Sequence, residues 1–189
     1  MILIFLFVNF MDEKRYRVFL ALPSPLGLSE KMKAFQRGKE KPPLRWVIYE
    51  KIHLTLVFWP ALTITEFKLL GEIVEKKLFK KNLSNNISSI ISGFAYFYRA
   101  QVLYLKETSE QVFSIQKIIE NQLGDLPKEF IFRKTESFIP HWTIARKFKI
   151  SMLNKYEKYF QALDKFTYIS ETKAPVLYLS KDGSYIPFS

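Results

Sequence analysis

Strand-like and helix-like segments follow one another in the order β-α-β-α-β-β-α-β-α-β-β, which predicts an α+β fold. No unbroken parallel βαβ rhythm runs through them, so the sheets are expected to be mixed or antiparallel. Two short pieces read alike, IHLTLV at Ile52–Val57 and PHWTIA at Pro140–Ala145, one in each half of the chain. Their recurrence predicts two pseudo-symmetric lobes. The length of 189 residues, with 48% hydrophobic and 25% charged residues, fits one globular domain with a real core and argues against disorder.

The elements follow from local pattern. Tyr16–Leu22 is rich in β-branched and aromatic residues and stops at Pro23, a strand. Ser29–Arg37 is amphipathic and ends at Gly38, a helix. Trp46–Tyr49 reads as a short strand, and His53–Trp59 alternates up to Pro60. Thr65–Phe79 carries Phe67, Leu70, Ile73, Val74 and Leu78 at helical spacing, with Thr63 or Thr65 as N-cap. A polar loop, Asn82–Asn86, precedes a strand pair at Ile87–Tyr98 and Val102–Lys106. Ser109–Leu123 is helical, with Thr108 as N-cap, Gln111 completing a capping box, and Gly124 closing the helix. Phe130–Arg133 and Ile139–Lys147 are expected strands, Met152–Leu163 a helix, and Phe166–Ile169 and Val176–Leu179 strands before a turn at Lys181–Ser184.

The two histidines of the chain both fall in the repeated pieces, each followed two residues later by threonine. In a strand, residues two apart share a face. His53 and Thr55 therefore point one way and Leu54 and Leu56 the other; His141 and Thr143 share a face opposite Trp142 and Ile144. A histidine in a strand is commonly structural, and threonine favours strands anyway. The joint pattern, one imidazole–hydroxyl pair per half, is what points to chemistry. If the two polar faces meet, two imidazoles can divide the work of general base and general acid, and two hydroxyls can donate to phosphate oxygens. Which histidine does which stays open.

Other schemes lack their residues. There is no cysteine, so disulfides, thiolate metal sites and cysteine nucleophiles are excluded, and a cytoplasmic setting is expected. No H-E-x-x-H, phosphate-binding glycine loop or G-x-S-x-G elbow is present. No metal or other cofactor is expected. The net charge of +11 fits a polyanionic partner such as nucleic acid or a membrane surface, and equally a compositional bias toward lysine. The first ten residues, MILIFLFVNF, are apolar but far shorter than the ~20 a spanning helix needs. They are read as an extension from a mis-called start, with translation expected at Met11 and the domain at residues 11–189.

Beyond these residues, the chain resembles the RNA 2′,3′-cyclic phosphodiesterases, also called 2′-5′ RNA ligases, of the two-histidine phosphoesterase superfamily. The resemblance rests on His53-Leu54-Thr55-Leu56 and His141-Trp142-Thr143-Ile144, on Arg17–Leu22, on Arg45-Trp46-Val47 before the first motif, on Gln101–Leu105, on Phe138–Arg146, and loosely on Leu179–Tyr185. It departs at Trp59-Pro60, at Gln101 where arginine is common, and in a shortened closing segment. The resemblance implies a bilobal fold with a central cleft between two sheets. It implies metal- and ATP-independent hydrolysis of a terminal 2′,3′-cyclic phosphate on RNA, tRNA fragments included, to a 2′-phosphate, with reversible 2′-5′ joining. It implies His53 and His141 as catalytic, and Thr55, Thr143 and Arg146 as phosphate ligands. Strand parity puts Arg146 opposite His141, so that role needs the strand to end or bulge first. Phe58 and Phe19 are candidates to stack on a base or to sit in the core, and Tyr185 is a weaker candidate. Small cyclic nucleotides or 2′-5′ oligoadenylates, and a non-catalytic nucleotide- or RNA-binding module, are the alternatives. A monomer is expected, with no membrane partner.

Overall fold

Residues 14–38, 40–78, 86–130, 132 and 138–188 are described by the computed structural model. The apolar run at residues 1–10, Met11, Phe79 and most of the expected polar loop lie outside them. Strands β1 (Tyr16–Pro23), β3 (His53–Leu62), β8 (Val176–Lys181) and β9 (Ser184–Pro187) form one sheet in the order β3-β1-β8-β9. Strands β2 (Arg45–Trp46), β4 (Asn86–Phe97), β5 (Val102–Glu107), β6 (His141–Arg146) and β7 (Thr167–Lys173) form a second in the order β2-β6-β5-β4-β7. Every pairing between described strands is antiparallel. The expected α+β fold with two lobes around a cleft is the fold observed, one repeated H-x-T strand in each sheet.

The lobes are not the two halves of the chain. β2 leaves the first half to pair with β6, and β8 and β9 return to the first sheet. Hydrogen bonds tie the sheets together: Leu26 N, just after β1, donates to Glu171 O (2.9 Å) and Thr172 Oγ1 to Pro23 O (2.5 Å). One hydrophobic cluster joins Val18, Leu20 and Leu22 of β1 to Leu105 and Trp142 of the other sheet.

Helices α1 (Leu28–Arg37), α2 (Ile64–Leu78), α3 (Glu110–Gln122), α4 (Ser151–Lys155) and α5 (Glu157–Asp164) flank the sheets. Among the described residues no helix is long and apolar enough to cross a membrane. Thr63 caps α2 in a reciprocal box: its Oγ1 accepts from Glu66 N (3.1 Å) and its own N–H donates to Glu66 Oε2 (2.7 Å).

Several local expectations are corrected. Pro60 does not stop β3, which runs on to Leu62 as an edge strand; proline is tolerated there because its missing N–H is not needed for the ladder. The capping box at Thr108 does not form. Ser109 is the N-cap of α3, Thr108 Oγ1 donates to Ile90 O, and Gln111 Oε1 accepts from Ser88 N. Only Arg45–Trp46 pairs in the region read as Trp46–Tyr49, and Tyr49–Lys51 is a 3₁₀ turn. Phe130, the first residue of the expected strand Phe130–Arg133, ends another 3₁₀ turn, Lys128–Phe130, and residues 131 and 133 of that strand lie outside the described residues. The helix expected at Met152–Leu163 is broken at Tyr156 (φ −121°, ψ 39°).

Candidate active site

Each H-x-T strand carries a bulge directly after its threonine. In β3, Thr55 faces Ala21 and Val57 faces Leu20 of β1, so Leu56 has no partner. In β6, Thr143 faces Tyr104 and Ala145 faces Leu103 of β5, so Ile144 has none. The extra residue resets the alternation of sides. Leu56 with Val57, and Ile144 with Ala145, are both buried, and the next residue returns to the histidine's face. Phe58 and Arg146 occupy these equivalent positions. The parity objection to Arg146 is thereby removed.

The two polar faces meet. A cleft of about 210 Å³ is lined by His53, Thr55, His141, Thr143 and Arg146, with Val47, Lys51, Phe97, Val102 and Tyr185 around them. A groove of about 600 Å³ continues from it past Lys51, His53, Thr55, Arg146 and Tyr185 to Arg17, Arg45, Phe19 and Phe58.

The imidazoles are held the same way. His53 Nδ1 lies 2.8 Å from Lys51 O and His141 Nδ1 lies 2.8 Å from Ile139 O. A carbonyl oxygen only accepts, so Nδ1 carries the proton and Nε2 keeps its lone pair in the neutral ring. Packing fixes the rings further. Phe19 stacks on His53 at 4.7 Å and the Tyr185 edge meets it at 5.0 Å. Phe97 and Tyr104 approach His141 at 5.0 Å and 5.1 Å.

Burial pushes both histidines below the usual 6.5, and the Arg146 charge pushes the same way. His53 is lowered also by the facing His141. The carbonyl bonds act in the opposite sense but do not prevail. Two largely neutral bases therefore face one cleft at neutral pH. An anion entering between them would offset the desolvation and favour protonation of one. Among the described residues no three histidine or carboxylate side chains converge as a metal-ligand cluster.

All seven site residues read from sequence line the cleft or the groove. Of the two placements left open for Phe19, it takes the buried one: it is only 5% exposed and its ring is engaged with His53, Tyr178 and Tyr185. It therefore steadies the imidazole, and the free aromatic face in the groove is Phe58, 44% exposed. Sequence reasoning passed over Lys51, Phe97, Tyr104 and Arg45 as site residues. Lys51 was legible as the residue two before His53; its Nζ donates to Gly183 O (2.6 Å), linking the cleft rim to the turn before Tyr185. Phe97 and Tyr104 reach His141 only through strand pairing, which leaves no local signal.

No family model matches the chain. The RNA 2′,3′-cyclic phosphodiesterase of Methanocaldococcus jannaschii is 29% identical over 154 residues, 76% of this chain and 80% of that protein. The E. coli LigT structure complexed with 3′-AMP superposes with a TM-score of 0.65 at 18% identity, over 93% of this chain and 97% of that one. TT0787 of Thermus thermophilus superposes with a TM-score of 0.56 at 18% identity, covering 92% and 95%. The chain is thus a homologue of an RNA 2′,3′-cyclic phosphodiesterase and has the LigT fold, as the paired H-x-T motifs had led us to expect.

Proposed function

We propose that this protein hydrolyses 2′,3′-cyclic phosphate ends of RNA to 2′-phosphates, without metal or ATP, by paired histidine catalysis. The observation that carries the reading is the convergence of two H-x-T faces, each with Nε2 free, on one cleft. The name of the archaeal homologue supports the same substrate.

The chemistry uses this chain's own groups. The cyclic phosphate sits between the imidazoles, with Thr55 and Thr143 hydroxyls donating to its non-bridging oxygens and Arg146 compensating their charge. One Nε2 takes a proton from water as the water oxygen bonds to phosphorus. The bond to the ribose 3′-oxygen breaks, and the other histidine, as imidazolium, gives that oxygen its proton. The products are a 2′-phosphomonoester and a free 3′-hydroxyl. With a 5′-hydroxyl RNA end in place of water, the same step would join RNA through a 2′-5′ linkage, and its reverse would cleave that linkage back to the cyclic phosphate.

The test is a short RNA ending in a 2′,3′-cyclic phosphate, incubated with EDTA. The parent protein is expected to yield the 2′-phosphate. His53→Ala and His141→Ala are each expected to lose about 10²–10⁴-fold in rate. No product from the folded parent would sink the reading. Turnover of small cyclic nucleotides or 2′-5′ oligoadenylates alone would move the substrate class. Nucleotide binding that survives loss of both histidines, without turnover, would make the protein a binding module.

A further inference from the structure

Arg45 on β2 stands directly opposite Arg146 on β6. Partners in that position project on the same face, and like charges there repel. Both side chains line the groove, with Arg17 of β1 along it. The ion pairs among the described residues are Lys14–Asp182, Arg15–Glu66, Lys33–Glu30 and Lys77–Asp125, and none includes these three arginines. The fold therefore places two arginines side by side, Arg45 on a two-residue edge strand and Arg146 at the end of β6, with no carboxylate among the described residues ion-paired to either. Such an arrangement is relieved by a bound anion.

Position says which anion. Arg146 lines both the cleft and the groove, whereas Arg45 lines the groove alone. Arg45 is one strand farther from the histidines, a step of about 5 Å. That is of the order of the separation between neighbouring phosphates along an RNA strand. Phe58 lies in the same groove with an exposed ring, suited to a nucleoside between two phosphates.

We propose that Arg45 and Arg146, with Arg17, form a second phosphate subsite. It holds the phosphate on the 5′-oxygen of the nucleotide whose cyclic phosphate lies between the histidines. The assignment rests on the function proposed above, because the reacting phosphate defines the register. It makes Arg45 a specificity-determining residue that separates a 5′-phosphorylated or chain-linked end from a bare cyclic nucleotide.

Three substrates test it: adenosine 2′,3′-cyclic phosphate, the same compound with a 5′-phosphate, and the dinucleotide ApA with a terminal 2′,3′-cyclic phosphate. The parent is expected to favour the last two by about tenfold or more in kcat/KM, the worth of one charge-assisted contact. Arg45→Met is expected to cut that preference by about fivefold or more, and Arg45→Lys to retain part of it. An advantage for both phosphorylated substrates assigns the subsite to any 5′-phosphate; an advantage for the dinucleotide alone assigns it to the internucleotide linkage. A parent without preference, or an equal fall on all three substrates in Arg45→Met, overturns the proposal. If the parent cleaves none of them, the proposed function fails, and binding decides the subsite separately. In that case a fluorescent dinucleotide 3′-phosphate should bind Arg45→Met about tenfold more weakly, with a log–log salt slope smaller by about 0.7. Unchanged binding and slope overturn the proposal there too.

Discussion

His53 and His141 are each anchored at Nδ1 by the carbonyl two residues back, so the two rings enter the cleft with the same nitrogen foremost. Asparagine retains a donor near Nδ1 but offers nothing where Nε2 stood. His141→Asn is thus expected to keep the bond to Ile139 and the fold, while kcat falls by about 10²-fold or more; matched circular dichroism and single-turnover rates would check it. The depressed histidine pKa values fix a pH signature as well. In the free enzyme the singly protonated pair is most abundant between two pKa values that both lie below 6.5. The kcat/KM profile is therefore expected to be bell-shaped with its maximum on the acid side of 6.5. A bound phosphodiester favours the imidazolium, so the kcat profile should sit at higher pH. A flat profile from about pH 5 to 9 would contradict a paired role for histidines with an ordinary value near 6.5.

The elements hold these residues through contacts that composition does not advertise. Glu107, at the end of β5, is only 3% exposed and accepts hydrogen bonds from Ile90 N (2.8 Å), Thr108 N (3.1 Å), Ser109 N (3.0 Å), Ser89 Oγ (2.5 Å) and Trp142 Nε1 (2.8 Å). One carboxylate thus joins β4, the start of α3 and the residue next to His141. Glu107→Ala strands these buried donors and is expected to cost roughly 2–4 kcal/mol, read from urea unfolding. Gly71 in α2 shows how packing can reverse a propensity. Alanine normally favours a helix interior over glycine by about 1 kcal/mol. A Cβ at Gly71, however, would lie 2.2 Å from the Phe188 ring, so Gly71→Ala is expected to lower the melting temperature as Phe188 is displaced.

At the scale of the whole molecule, the interleaved chain makes the lobes dependent on one another. β2 and the β8–β9 hairpin each cross to the sheet of the other half, and one apolar cluster spans both. Unfolding is expected as a single transition, with fluorescence and far-ultraviolet dichroism coincident; two separated transitions would contradict it. The histidines add a pH dependence. Their folded pKa values lie below the unfolded 6.5, so the unfolded chain takes up more protons in acid. The associated stability is present above pH 6.5 and is lost as the pH falls toward and through the folded values. The double variant His53→Gln/His141→Gln is expected to lose less stability than the parent between about pH 7.5 and 5.5, measured by urea midpoints.

What the sequence determined by itself was local and periodic. Alternation placed His53 with Thr55 and His141 with Thr143 on single faces, and the recurrence of that pair singled out these four residues as the candidate site before any strand was paired. It also located nearly every strand and helix, and Thr63 among the possible caps of α2. Pairing was not legible, because it depends on partners distant in the chain. Tertiary structure decided that Ile144 and Leu56 bulge, which turns Arg146 and Phe58 into the cleft and groove. It decided that Phe19 is spent on His53, that Glu107 gathers five donors, and that Thr108 bonds to Ile90 rather than capping α3. It also put Arg45 beside Arg146, from segments far apart in the chain. The faces of a strand follow from its own residues, whereas its neighbours and register follow from burying both sheets in one core.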